Sequence, residues 1–374
     1  MYKRSLRTNT NFEASCMKTP RITSRLVVFM LAVLGMLSGV AFSELNYIYE
    51  DSEATYSIVA LDPETGELGI GVQSDTIAVA SRTRWGRGGV AAIASQASSN
   101  PMFGELGVLL LERGFSPEEA LEMMVRMDNG ALNRQFAIID IQGRTAAWTS
   151  PNITDWKGHL CGENFCAQGN TLVGPEVIQD MASTFLSTEG SLIERILAGL
   201  EAAEAAGGDR RGTQSAGILI LRPRSIQDYG DWAIDLRVDE SPAPLVELRR
   251  ILNARFSQQQ LSGLGTLINE GQYDEALTRI EAALELDPTS ARAFLARANV
   301  FMAMGDSDET IESLASAIDV NSKVFFQVLR NDSFAPIHDD PAFLALGDIE
   351  VLLHSLLQHL KVYLHLIDLL LSAH

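Results

Sequence analysis

The sequence predicts an α+β protein in which a four-layer αββα sandwich is followed by an all-α helical unit. In the first two thirds of the chain, pairs of helical segments separate two groups of antiparallel strands. Each sheet has to cover its apolar face, and two stacked sheets with helices outside meet that requirement. Beyond about residue 242 the pattern becomes continuously helical and has a 34-residue period, which is typical of helical repeats.

Charge excludes one class of partner. The 374-residue chain has 29 Lys and Arg against 48 Asp and Glu, a net charge of −19. Residues 1–43 hold six basic residues and one acidic residue, a net +5, so the remainder carries −24. A body of this charge repels phosphate backbones and anionic lipid headgroups, and the sequence shows no basic stripe. We therefore expect no nucleic-acid partner.

The N-terminus has the order of a secretory signal peptide. Lys18, Arg21 and Arg25 precede an apolar run over residues 26–37, which small residues follow up to Ser43. This order predicts a signal over residues 1–43, cleaved after Ala41 or Ser43, and export to the periplasm or the extracellular space. An uncleaved anchor is the alternative, because residues 26–42 are at the short limit for crossing a bilayer. After signal removal we expect no spanning segment.

Two cysteines remain in the mature chain, Cys161 and Cys166. In an oxidising compartment they can pair as a disulfide if the backbone between them bends. Two free buried thiols are the alternative. A zinc site is a third reading, for which His159 supplies only one further ligand. We predict neither a metal nor a cofactor.

The sandwich begins with a hairpin after an acidic lead-in over residues 44–54. Residues 55–61 have strand composition, and the turn at 62–66 contains Pro63 and Gly66. In the return strand three apolar residues alternate with Gly69, Gly71 and Gln73, so one face is nearly bare and another backbone or helix is expected to approach it closely. A third strand is predicted at 90–94, after a turn at 85–89.

Capping and turn residues define the ends of the elements that follow. Asn100 and Pro101 begin a helix that runs to about 113, and a capping box at 116–119 begins a second helix, which runs to about 127. Gln142-Gly143 is a link of hairpin length between two strands. The remaining predicted elements are strands at 135–141, 144–149, 163–168, 171–173, 213–221 and 234–239, and helices at 175–186 and 191–206.

The helical unit carries a 34-residue recurrence. Gly271, Ala276, Ala283, Leu284 and Asp287 recur as Gly305, Thr310, Ala317, Ile318 and Asn321. That period is typical of the tetratricopeptide repeat (TPR), and it places a sandwich domain at 55–253 and TPR-like repeats at 254–322. Two repeats with a partial third are fewer than usually stand alone, so the unit is expected to dock on the sandwich, to form a homodimer or to bind a protein partner.

The C-terminal helical segment, 323–374, ends in a leucine-rich stretch. Within 349–373, polar residues recur every three or four positions, so a helix here would have a narrow polar stripe and a wide apolar face. Such a helix has to be covered. Burial on the repeats, self-association and contact with a membrane surface are all open.

Short motifs in the sandwich domain resemble a known family. They are the stretch 55–69, Ser95-Gln96-Ala97, Asn100-Pro101 with Gly104, Trp156-x-Gly158-His159, Gln168-Gly169-Asn170, Gly174-Pro175-Glu176 and the stretch 207–216. Together they resemble a bacterial and archaeal domain-of-unknown-function family in the N-terminal-nucleophile (Ntn) hydrolase-like superfamily, over about residues 54–253. The resemblance implies the same αββα sandwich. It implies no substrate, because the family has no settled one.

The superfamily chemistry makes Thr55 the candidate nucleophile. In such enzymes a terminal Ser, Thr or Cys attacks an amide carbonyl, and its own α-amine acts as the general base. An amine with a pKa near 8 can accept the proton, whereas a peptide nitrogen cannot. Activity therefore needs a cut between Ala54 and Thr55, after the signal has been removed. Without that cut, Thr55 is an ordinary strand residue.

Other polar residues complete the hypothesis of a small-amide hydrolase. Asp209, Arg210 and Arg211 are suited either to binding a substrate group or to an internal ion-pair clasp. Gln168 and Asn170 offer amide donors for an oxyanion or stabilise a turn, and His159 is either a base or a structural residue. The predicted catalytic residues are Thr55, Asn170, Asp209 and Arg210, and the predicted substrate-binding residues are Gln96, His159, Gln168, Arg211 and Gln214. The alternative is a non-catalytic extracytoplasmic ligand-binding or scaffold protein.

Overall fold

The computed structural model describes residues 55–223 and 231–347. The predicted signal peptide at 1–43, the acidic lead-in at 44–54 and the leucine-rich stretch at 349–373 lie outside the described residues. Within the described ranges, no helix has both the length and the apolar character needed to cross a membrane.

Ten strands form two antiparallel sheets in the described ranges. They are β1 (Thr55–Leu61), β2 (Leu68–Ser74), β3 (Arg84–Arg87), β4 (Ala91–Ala97), β5 (Arg134–Asp140), β6 (Thr145–Thr149), β7 (Gly158–Gly162), β8 (Phe165–Asn170), β9 (Ser215–Leu221) and β10 (Trp232–Val238). The six-stranded sheet has the order β10-β9-β2-β1-β8-β7, and the four-stranded sheet has the order β3-β4-β5-β6. Strand β1 therefore lies inside the larger sheet, between β2 and β8.

The short helix α1 (Ala80–Thr83) follows β2, and its Ala80 packs with Val72. The helices α2 (Pro101–Glu112), α3 (Pro117–Met127), α4 (Glu176–Ser187) and α5 (Leu192–Ala205) cover the outer faces of the two sheets. Helices α4 and α5 pack on the six-stranded sheet, where Phe185 and Ile196 contact the Ile58 side of β1. Helices α2 and α3 pack on the four-stranded sheet around Phe103 and Phe136. A third apolar cluster fills the space between the sheets, so the predicted αββα sandwich is confirmed.

Local capping signals act as the sequence predicts. The Asn100 Oδ1 atom accepts a bond of 3.0 Å from the Met102 amide at the start of α2. Ser116 and Glu119 form both bonds of the capping box that begins α3. Gly143 links β5 to β6 with a φ of 78°, a conformation that glycine adopts without strain.

The bare face of β2 lies directly against α5. A Cβ atom added to Gly69 would lie 2.3 Å from the Ile196 Cδ1 atom, and one added to Gly71 would lie 2.5 Å from Ile196 Cγ2. Neither distance is sterically allowed. The expected close approach is therefore confirmed, and a helix makes it.

Two predictions about strands were wrong. The predicted strand at 163–168 is found as β8, shifted to Phe165–Asn170, but its partner is β7 at Gly158–Gly162, which was not predicted, and not a strand at 171–173. The chain turns at Glu163-Asn164, where Asn164 has a φ of 64°, and it leaves the sheet at Thr171, where φ is 56°. The predicted turn at 85–89 is largely strand β3, because Arg84–Arg87 pair with β4. Neither region has the alternation of apolar residues that would have marked these strands.

Cys161 and Cys166 form a disulfide across the β7–β8 hairpin. They are directly opposite each other in the strand register. Of the three alternatives that the sequence left open, the structure shows the disulfide. A bonded pair of sulfurs does not offer thiolates to zinc.

Seven helices follow the sandwich in the described residues. They are α6 (Pro244–Gln260), α7 (Leu264–Asn269), α8 (Tyr273–Leu286), α9 (Ala291–Met304), α10 (Ser307–Val320), α11 (Lys323–Leu329) and α12 (Pro341–Leu344). Helices α8 and α10 begin and end 34 residues apart. Gly271 and Gly305, which precede them, have φ values of 74° and 80°. The small residues at equivalent positions, Ala276 with Thr310 and Ala283 with Ala317, are fully buried.

Helix α6 belongs to both parts of the protein. Leu245, Leu248 and Leu252 enter the core on the helix-covered face of the six-stranded sheet. Arg249 forms an ion pair with Glu201 of α5, and α6 also contacts α8. The boundary that we placed between residues 253 and 254 therefore lies inside one continuous helix. Helical periodicity alone could not show that this helix begins in one core and ends in another.

Candidate functional site

The interior between the two sheets is apolar at one end and polar at the other. Alternate residues of β1 face this interior: Val59 and Leu61 belong to its apolar cluster, and Thr55 and Ser57 continue the same face. We call the polar end the seam, and define it by Thr55, Ser57, Gln96, Gln135, Gln168 and Asn170. None of these six residues is more than 2% exposed.

Thr55 begins the strand at the centre of the seam. It lies opposite Asn170 in the register of β1 and β8. Its Oγ1 atom donates a bond of 3.2 Å to the Ser74 hydroxyl. Its carbonyl oxygen accepts bonds from Gln96 Nε2 at 2.9 Å and from Asn170 Nδ2 at 3.5 Å. Two amide side chains from different sheets therefore hold the backbone of Thr55.

Gln135 links these two amides, and the sequence motifs do not include it. Its Oε1 atom accepts bonds of 2.8 Å from Gln96 Nε2 and 3.0 Å from Asn170 Nδ2. Gln135 is directly opposite Gln96 in the register of β4 and β5. Its alternation with Ala137 and Ile139, which face the sheet interior, is the sequence signal that could have found it.

Gln168 lies one inward-facing position deeper than Asn170. Its Nε2 atom donates to the Ala94 carbonyl at 3.0 Å and to the Ser57 hydroxyl at 3.2 Å. Ser57 in turn donates to Gln96 Oε1 at 2.6 Å. Gln168 therefore supports the site through Ser57 and Gln96 rather than by touching Thr55.

Asp209 forms the internal clasp that was one of its two predicted roles. Its buried carboxylate accepts bonds from the Arg211 amide at 2.9 Å and from the Asp75 amide at 3.1 Å. The Arg211 guanidinium forms an ion pair with it at 3.0 Å. The clasp fixes the 207–212 loop against the end of β2, one residue beyond Ser74.

Arg210 and Gln214 lie near the same end of the sandwich. The Arg210 amide donates to the Thr171 carbonyl at 3.2 Å, one residue beyond Asn170, and the Arg210 side chain is exposed. The Gln214 amide donates to the Ser74 carbonyl at 3.0 Å. Both residues are therefore held close to the seam by their backbones. These bonds do not involve either side chain or Thr55.

His159 lies on exposed strand β7 and connects to the seam through a relay. Its Nδ1 atom is 2.8 Å from Thr149 Oγ1, which accepts a bond of 2.9 Å from Gln135 Nε2. Neighbouring protein atoms displace water from the imidazole and lower its pKa below the ordinary value. This shift favours the neutral ring.

Tyr56 is next to Thr55 in the chain but faces the opposite side of the sheet. Its hydroxyl donates to Glu204 Oε2 at 2.7 Å. Burial raises its pKa well above the usual value, and the negative charge of Glu204 raises it further. Tyr56 therefore belongs to the helix-facing core rather than to the seam.

Of the predicted site residues, the structure brings Thr55, Gln96, Gln168 and Asn170 together in the seam. The six seam residues are neutral hydroxyls and amides, which can position a carbonyl group but supply no general base. Proton transfer from Thr55 would therefore require another group, such as a free α-amine. Among residues 55–223 and 231–347, no group of three or more His, Cys, Asp or Glu residues could hold a metal ion.

Comparison with known proteins gives one family match for the sandwich and one for the repeats. The model of DUF1028, a family of unknown function, matches residues 55–248, and a TPR repeat model matches residues 266–305. The DUF1028 protein SPO2555 from Silicibacter pomeroyi, whose crystal structure is known, has a sequence 31% identical to this chain, and the two structures superpose with a TM-score of 0.50. That match covers 56% of this chain and 87% of the other. No curated protein matches the chain.

Proposed function

The chain belongs to the DUF1028 family, and we propose that it is an exported amide hydrolase of the Ntn type. Thr55 is the nucleophile in this proposal, and it becomes active when the Ala54–Thr55 bond is cut. The helical repeats are a protein-association unit. The observation that carries the proposal is the position of Thr55 at the start of a central strand, with its carbonyl oxygen bonded to Gln96 and Asn170.

The proposed reaction follows from a free amine and a hydroxyl on the same residue. The Thr55 Oγ1 atom adds to the carbonyl carbon of a small amide while the α-amine takes the hydroxyl proton. The amine leaving group departs with that proton and leaves an acyl ester on Thr55. Water then attacks the ester, with the amine again acting as base, and releases the carboxylic acid. No metal or cofactor is needed to balance these steps.

Two further parts of the proposal rest on the sequence. The basic and apolar order of residues 1–43 supports export. The TPR repeat match, together with the buried small residues at equivalent positions of α8 and α10, supports a role of the helical unit in binding protein.

The mature N-terminus tests the proposal most directly. The full chain, including residues 1–43, is expressed and recovered from the extracytoplasmic fraction, and its intact mass is measured. We expect a chain that begins at Thr55. A chain that begins near Glu44 and still has all its activity would contradict the nucleophile assignment.

Variants of buried threonines then separate chemistry from folding. Thr55→Ala is expected to abolish both the cut and the hydrolysis of a panel of amino-acid p-nitroanilides, whereas Thr55→Ser keeps both. Thr83→Ala is the matched control, because Thr83 is also fully buried and loses a single bond, to the Val79 carbonyl. Unchanged turnover in Thr55→Ala would remove this residue from the mechanism.

One observation favours the non-catalytic alternative. Thr55 is fully buried in the structure, so a ligand-binding or scaffold protein would need no change at this position. Recovery of an uncut, inactive chain that binds a protein through its repeats would support that function.

A further inference from the structure

We propose that Gln135 is a positioning residue that sets the orientation of the Gln96 and Asn170 amides. Through them, it ensures that the Thr55 carbonyl oxygen faces N–H donors. The catalytic consequence rests on the proposed function, whereas the structural consequence does not. Gln135 is fully buried between the two sheets.

Backbone carbonyl groups determine how Gln135 itself is oriented. Its Nε2 atom lies 2.8 Å from the Gly169 carbonyl oxygen, 3.0 Å from the Gly158 carbonyl oxygen and 2.9 Å from Thr149 Oγ1, so three acceptors share its two N–H groups. A backbone carbonyl can only accept a hydrogen bond. The amide nitrogen of Gln135 must therefore face β7 and β8, and its Oε1 atom must face the opposite way.

The orientation of Gln135 then determines that of its two neighbours. Its Oε1 atom can only accept, so Gln96 and Asn170 must both turn their amide nitrogens towards it. A side-chain amide carries two N–H groups. One N–H of each residue is used on Gln135, and the other is available to the Thr55 carbonyl.

The remaining bond of Gln96 agrees with this arrangement. Its Oε1 atom accepts from the Ser57 hydroxyl, and the Ser57 oxygen in turn accepts from Gln168 Nε2, so the single Ser57 proton is directed at Gln96. If Gln96 were turned by 180°, its oxygen would face both Gln135 Oε1 and the Thr55 carbonyl oxygen. Two acceptors facing each other without a proton are unfavourable in a buried site.

Gln135 therefore connects two fixed carbonyls of the six-stranded sheet to the backbone of the proposed nucleophile. Positioning matters because a misplacement of about 1 Å can lower a catalysed rate by about 100-fold. Loss of the Gln135 acceptor would free both amides to rotate away from Thr55.

The test replaces Gln135 with methionine, which has a similar length and no acceptor. Gln73→Met is the matched control: Gln73 is also fully buried, lies on β2 of the six-stranded sheet and donates to Thr213 rather than to a seam residue. Crystal structures of both variants are determined. We expect the Gln96 and Asn170 nitrogens to leave the Thr55 carbonyl in Gln135→Met only. Both nitrogens remaining within 3.5 Å of that oxygen, their present limit, would overturn the proposal.

Cleavage at Ala54–Thr55 provides the second readout, measured per folded molecule. We expect a decrease of about 10-fold to 100-fold in Gln135→Met and none in Gln73→Met. If the wild-type chain is never cut, the proposed function fails while the crystallographic result still decides the role of Gln135. Equal rates in Gln135→Met and wild type would remove its catalytic consequence.

Gln135→Glu covers the case in which the methionine variant does not fold. A protonated glutamic acid keeps one acceptor oxygen and can donate to one of the two carbonyls, whereas the ionised form cannot donate. Burial raises the pKa of such a carboxyl. We expect the rate of cleavage at Ala54–Thr55 per folded Gln135→Glu molecule to decrease as the pH rises through that pKa. Wild type and Gln73→Met should show no such decrease. A flat profile identical to wild type would contradict the proposal.

Discussion

The two ends of the inter-sheet interior are built on the same strands and differ in what holds them together. Towards one end, β1 places Val59 and Leu61 against Ile70 and Ile139 in an apolar cluster. Towards the other, it places Thr55 and Ser57 in a hydrogen-bonded network of amides. Both ends are almost completely buried, so burial alone does not distinguish a stabilising core from a candidate site.

The difference shows how one sheet interior can serve two purposes. Apolar burial is non-directional and contributes most of the folding free energy. A buried polar network contributes less net stability, because each bond replaces one to water, but it imposes one orientation on every group. We therefore expect mutations at the apolar end to act mainly on the free energy of unfolding. Mutations at the seam should act mainly on the orientation of the amide side chains and on the proposed cleavage at Ala54–Thr55.

The largest effect on stability is expected at the apolar end. Ile70→Ala removes a fully buried side chain between the sheets and should lower the free energy of unfolding by about 2–5 kcal/mol. Urea denaturation measures this loss. Cleavage at Ala54–Thr55 per folded molecule should stay unchanged, and a parallel loss of cleavage would erase the distinction between the two ends.

A smaller effect is expected in the seam. Ser57→Ala leaves the buried Gln96 Oε1 and Gln168 Nε2 atoms without this partner and should cost about 1–3 kcal/mol. Ser95→Ala is its control, because the Ser95 hydroxyl is buried with no hydrogen-bond partner among the described residues. Removing that hydroxyl should be neutral or stabilising. Equal decreases in the free energy of unfolding in the two variants would show that the hydrogen-bond network contributes no stability.

Titration of Tyr56 extends the comparison to the helix-facing side of β1. Its pKa is raised above 10.0, so the folded state favours the neutral phenol. The associated stability is fully present below pH 10 and is lost as the pH rises through the higher folded-state value. Urea midpoints measured from about pH 8 to pH 11 should therefore fall more steeply for wild type than for Tyr56→Phe. Identical slopes would contradict this assignment.

The smallest effect is expected from His159 at the exposed edge of the relay. Its pKa is lowered from 6.5, so its contribution to stability is present above that pH and is lost as the pH falls. His159→Gln should reduce the slope of stability against pH between about pH 7 and pH 5. The change is small because solvent screens an exposed group. A steeper slope of stability against pH in His159→Gln would contradict the direction of the pKa shift that we assign to His159.

Local signals predicted most of the fold. The capping residues of α2 and α3, the hairpin turn at Gly143 and the 34-residue spacing of α8 and α10 all depend on nearby residues, and all are confirmed. Strands β3 and β7 were missed because they are short and partly exposed, and have no apolar alternation. Their pairing partners, rather than their own composition, define them.

The site could be predicted only in part. Motif residues Thr55, Gln96, Gln168 and Asn170 converge because β1, β4 and β8 bring them to one end of the interior. Gln135 belongs to none of the motifs, and its importance depends on a register between strands that are far apart in sequence. The sequence left two roles open for Asp209, and its contacts with Arg211 and with the Asp75 amide show the internal clasp.

Helix α6 gives the molecule a rigid mechanical connection. Because its leucines are anchored in the sandwich core and the same helix contacts α8, the two parts share a strut instead of a tether. Helix α6 also contacts β9 and β10. A force exerted by a protein bound to the repeats would therefore pass through α6 to these two strands. Separating the parts for study would require dividing a helix.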